Sequence, residues 1–176
     1  TTLTTLTIAA LTSEQVSALS TAQVSSLKTS QVAALTSSQV VALGSQDFQA
    51  LGTTAVQALS TAAIAALTTE QITNLSTSQL GALQTRQVLA LRTDDIAALT
   101  TQQVVALSTR QSSVLKSDQV AALSTDQVRV LETQDLAAIP TASIAGFSTD
   151  AIQALSTDQV FALTPFQVEG LSADQI

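Results

Sequence analysis

The chain has 176 residues and a formal net charge of −7, carried by 13 acidic and six basic side chains. Cations so few and scattered cannot follow a phosphate backbone, which argues against a nucleic-acid partner; no apolar run approaches the ~18 residues of a membrane span. Cys, His, Tyr, Trp and Met are absent, so the usual general base, thiolate nucleophile and soft metal ligands are missing, while 45% apolar residues leave enough to bury a core.

An internal repeat organises everything else. Leu recurs every eight residues from Leu3 to Leu171, at 20 of 22 sites, with Ile139 and Phe147 at the other two. Numbered from that Leu, the consensus is Leu-Ser/Thr-Thr-x-Gln-Val/Ile-x-Ala. All 19 charges fall at positions 2, 4, 5 and 7. Positions 1, 6 and 8 therefore read as core, and 4 and 7 as solvent. Position 3 is Ser or Thr in 20 of 22 units and never charged, which predicts a fixed hydrogen-bonding task for its hydroxyl.

An eight-residue period fits one structure best. A continuous helix would turn about 80° out of phase per unit, so its apolar stripe would wind around the helix and meet no partner. A β-solenoid is the alternative, favoured by the Thr, Val and Ile content, but strict alternation is lacking and only five Gly serve the many tight turns. A short helix in every unit makes the consensus intelligible. Ser or Thr at position 2 is the N-cap, Gln at position 5 completes a capping box, and Leu at 1 with Val at 6 forms a hydrophobic staple.

In chain order, the first unit follows Thr1-Thr2, without an initiator Met or signal peptide, and reads as a segment of something longer. The second and third helices are predicted to start at caps Thr12 and Ser20. Lys28 then occupies the cap, as Arg92, Lys116, Glu132 and Pro140 do later; in those units Thr at position 3 is expected to cap and shift the start by one. Gly44 and Gly52 are tolerated caps. Glu14, Glu70, Asp126 and Asp158 fall in first turns, where the helix dipole favours an anion. Ser112 is the one polar residue at position 6. Pro165 sits where Pro is favoured, at the first helical position. No linker or charge run divides the chain, so one domain over residues 1–176 is expected.

Helices of about six residues fall below the ~12–15 needed to persist alone. They must stack, each unit covering its neighbours, as an all-α solenoid or superhelix. The number of octads per turn does not follow from the sequence, which shows no higher-order period of 16 or 24 residues.

No catalytic, cofactor-binding or metal-binding residue is assigned, and the chain is read as a non-enzyme. Asp94-Asp95, Asp118 with Asp126, and Asp150 with Asp158 are the carboxylates that could hold Ca²⁺, but first-turn acids explain them. Asn74-Leu75-Ser76 matches a glycosylation sequon. The rows of Thr at position 3 and Gln at position 5 could order water or support lateral association, but capping accounts for both.

The array, as in Leu99-Thr100-Thr101-Gln102-Gln103-Val104-Val105-Ala106-Leu107, resembles the octapeptide-repeat regions of very long, adhesin-like surface proteins of Gram-negative bacteria. The resemblance implies an extracellular or cell-surface structural spacer or stalk and transfers no binding residues. A self-assembling filament subunit and a peptide- or glycan-binding solenoid are the other readings. Expected partners are neighbouring repeats or copies of the chain end to end, with no cofactor, small-molecule substrate or membrane insertion.

Overall fold

The computed structural model describes residues 4–176; Leu3, the first site of the Leu series, lies outside them. Among the described residues there are 21 helices of four to six residues and no strand. They run from α1 (Thr5–Ala9) to α21 (Pro165–Glu169), one per octad, and the last octad ends in a turn after Leu171. The β-solenoid is thereby ruled out.

Each helix begins where the capping argument puts it. In α16 (Thr125–Arg129), Ser124 is the extended N-cap, its hydroxyl accepts from Gln127 N–H at 3.2 Å, and Gln127 Oε1 accepts from Ser124 N–H at 2.8 Å. Two of the helix's orphan N–H groups are satisfied reciprocally. Units with a poor cap do not shift. Helices α4 (Thr29–Val32), α12 (Thr93–Ala97), α15 (Ser117–Ala121), α17 (Thr133–Ala138) and α18 (Thr141–Ile144) still start at position 3. Their position-2 side chains accept no cap bond. The returning half of the box holds three of them in register: Gln31 accepts from Lys28 N–H at 2.7 Å, Asp95 from Arg92 N–H at 2.9 Å, and Gln119 from Lys116 N–H at 3.1 Å.

The chain forms two compact units, one reaching Ala90 and the other spanning Leu91–Ile176. Within each, helices three apart in sequence pack on one another. In the first unit α2 (Ser13–Ser17) packs on α5 (Ser37–Ala42) and α4 on α7 (Thr53–Ala58). In the second, α14 (Thr109–Ser112) packs on α17 and α15 on α18. Each unit is thus a helical solenoid with between three and four octads per turn, a number the sequence leaves open. The reason lies in side-chain reach, described below.

Positions 1 and 6 supply the apolar core: Val40, Leu43, Val56, Leu59, Val120, Leu123, Val128 and Leu131 are all at most 5% exposed. Position 8 does not join it. Ala34, Ala42, Ala106 and Ala122 are half-buried, at the seam between turns. Position 5 takes its place in the interior, where Gln39, Gln71, Gln87 and Gln127 are buried. The position-3 hydroxyls have no common partner either. Among the described residues, Thr21 and Thr109 donate to Asp47 and Asp135 at 2.6 and 2.7 Å, and Ser45 to Glu70 at 2.7 Å.

Candidate functional surfaces

The most specific chemistry in the molecule is a buried row of side-chain amides. A helix leaves its last carbonyls without partners; here the next turn supplies them. Gln127 Nε2 donates to Ile96 O at 2.9 Å and Leu99 O at 2.7 Å, residues at the end of α12 and just after it. Gln39, Gln71, Gln87, Gln159 and Gln167 repeat the contact, each to carbonyls 28 and 31 residues earlier. One amide therefore caps its own helix start through Oε1 and a neighbour's helix end through Nε2. A carboxylate could do only the first, having no hydrogen to donate. This spacing sets the turn: a Gln side chain reaches the junction between the helices three and four units back, and no shorter turn lets it do so.

The variants at position 5 show what the amide does. Ser143 is shorter, and its hydroxyl donates to Leu115 O at 2.7 Å. That contact draws α18 in, and a Cβ on Gly146 would lie 2.3 Å from Ser117 O, so only Gly fits there. Asp95 is fully buried and paired with Arg92 at 3.0 Å. Asp135 is buried too, and burial pushes its carboxyl pKa above the usual range; the Thr109 hydroxyl bond opposes this and the nearby Glu132 charge adds to it. At position 6, Ser112 Oγ is buried with no hydrogen-bond partner among the described residues.

The carboxylates that could hold calcium are dispersed. Asp94, Asp118, Asp126, Asp150 and Asp158 are exposed in the first turns of their helices. Asp126 pairs with Arg129 at 3.2 Å, whereas Asp118 accepts from Gln119 N–H at 2.9 Å. Among the described residues no three potential ligands gather. Asn74 is exposed, and its Nδ2 donates to Glu70 O at 2.8 Å, closing α9 (Thr69–Thr73).

Position 4 is exposed in every described unit and position 7 in most. Two open grooves of about 540 and 510 Å³ lie between turns, one beside Arg129, Glu132 and Asp158, the other beside Ser20, Asp47 and Glu70. Both are shallow, polar and without aromatic walls, unlike the enclosed apolar pockets of ligand sites. Among the described residues no helix is long and apolar enough to cross a membrane.

A helical solenoid of capped octads, joined by side-chain amides, defines the class of protein. The ALTTAQ repeat profile matches residues 1–29, 8–45, 40–77, 88–125, 96–133 and 128–165, so the chain belongs to the ALTTAQ repeat family. No curated protein matches it.

Proposed function

We propose that this chain is a structural spacer in an exported, cell-surface protein of the adhesin-like kind, with no catalytic role. The observation that carries this reading is where the polar chemistry goes. The amides at position 5 and the hydroxyls at position 2 are spent on joining turns and starting helices, and the outward positions vary from Ala to Asp to Arg. A surface that recognises a partner concentrates buried aromatic and Arg anchors, whereas Arg86 and Arg110 stand exposed at position 4.

The spacer would hold other domains of its parent at a distance set by the number of octads. Purified chain applied to peptide and glycan arrays gives no saturable binding under this reading, and antibody raised against it labels intact cells that make the parent protein. Saturable recognition of one ligand class would replace the spacer with the binding solenoid, and labelling only after cell lysis would refute the surface location.

A further inference from the structure

Gln at position 5 is missing in two runs of three consecutive octads: Asp47, Ala55 and Ala63 in one, Asp135, Ser143 and Ala151 in the other. The runs lie eleven octads apart, one in each compact unit. Their helices are α6 (Ser45–Gln49), α7 and α8 (Thr61–Ala65), then α17, α18 and α19 (Thr149–Gln153). Among the described helices from α2 onward, these six alone lack the returning half of the capping box. Their starts match pairwise. Gly44 and Gly52 in the first run, and Glu132 and Pro140 in the second, offer no side-chain cap. Only the third octad of each run is capped, by Ser60 and Ser148, whose hydroxyls accept from Ala63 and Ala151 N–H at 3.1 Å.

The link to the preceding turn is thinned in the same octads. Asp47 and Asp135 accept from the Thr21 and Thr109 hydroxyls instead of donating to carbonyls. Ala55, Ala63 and Ala151 have no donor, and Ser143 keeps a single bond to Leu115 O. The other carbonyls 28 residues earlier, of Leu19, Leu27, Leu35, Leu107 and Leu123, receive no bond from a described side chain. Toward the following turn the ties are intact. Gln79 and Gln87 donate to Leu51 O and Leu59 O at 2.8 and 2.9 Å, and Gln167 and Gln175 to Ile139 O and Phe147 O. Apolar burial continues across the seam, with Val56, Ile64, Leu136 and Ile144 fully buried. Burial holds these turns to their predecessors without direction, whereas in the Gln octads directed bonds add to it.

We propose that residues 44–67 and 132–155 are yielding segments, which open before the octads on either side of them by parting from the turn that precedes them. The order of opening follows from the hydrogen bonds alone. Its use rests on the spacer reading above: each segment of 24 residues, pulled out, reaches about 80 Å, a length released at two fixed places while the neighbouring turns stay wound.

Amide hydrogen exchange of the whole chain under native conditions, followed by nuclear magnetic resonance, tests it at position 6, where each N–H compared bonds the carbonyl of its own cap residue. Val56, Ile64, Leu136 and Ile144 should exchange at least about tenfold faster than Val40, Ile72, Val120 and Val128. Gly52→Ser/Ala55→Gln should slow Val56 by a similar factor and leave Leu136 unchanged; a Cβ at Gly52 meets nothing within 4 Å. The reverse change, Ser124→Gly/Gln127→Ala, gives octad 124–131 the cap and position 5 of octad 52–59 and should bring Val128 to the Val56 rate. Equal protection at all eight sites, faster exchange in one run only, or variants that leave both rates unmoved would overturn the proposal. The ligand arrays and antibody labelling decide the spacer reading separately.

Discussion

At position 5 the difference between Gln and Glu is one N–H group aimed at two carbonyl oxygens. In Gln127→Glu the carboxylate still accepts from Ser124 N–H, but it faces Ile96 O and Leu99 O without a hydrogen to give. Burying that repulsion should cost about 2–4 kcal/mol, against about 1 kcal/mol for Ser124→Ala, which removes only a cap; urea denaturation of the two variants compares them, and equal losses would reduce the amide to a capping role. Asp135 is the natural form of this experiment. Its raised pKa means that the folded state holds its proton more tightly than the unfolded state. The stability so gained is fully present below the ordinary carboxylate range and is lost as pH rises through the raised value. Asp135→Asn should remove that part of the pH dependence, and Asp135→Gln should add about 1 kcal/mol at neutral pH by restoring the donor. Thermal melts across pH 3–7 read both; parallel curves for wild type and Asn variant would contradict the assignment.

The helices themselves are too short to exist singly, so their features matter through what they hold together. The Ser143 hydroxyl and Gly146 form a coupled pair within α18 and its exit: the short donor requires close approach, and close approach excludes a Cβ. Gly146→Ala should therefore destabilise by about 2 kcal/mol, and Ser143→Gln/Gly146→Ala, which lets the helix sit at the common spacing, should recover most of it. Additive losses in the double-mutant cycle would show that the two positions do not communicate. Helix starts were legible in the sequence because a capping box is a local device, written within four residues. Burial of position 5 was not, since the same Gln satisfies the box whether or not its amide goes elsewhere. The signal was present nonetheless: a capping box accepts Glu as readily as Gln, yet Glu never occurs at position 5 in this chain. Ala at position 8 misled because small apolar residues suit a seam as well as a core. Turn size could not be read at all, for nothing in a uniform octad says which neighbour its amide meets.

Within each compact unit, octads three and four apart hold one another, so the stability of a unit should be close to a sum of local and nearest-turn terms. Removing residues 100–107, one whole octad, leaves every later Gln with equivalent carbonyls to meet; removing residues 100–103 puts a polar face where Val and Leu belong. Circular dichroism should retain its helical signal in the first deletion and lose a large part in the second. The central claim is that turns close at a spacing of 28 to 31 residues through side-chain amides. Nuclear Overhauser spectroscopy on the Gln side-chain amides tests it most directly. Cross-peaks from the Gln127 Nε2 protons to Ile96 and Leu99 are predicted, with the same pattern from Gln159 to Val128 and Leu131. Cross-peaks confined to each Gln's own octad, or leading to residues only two octads back, would contradict the account.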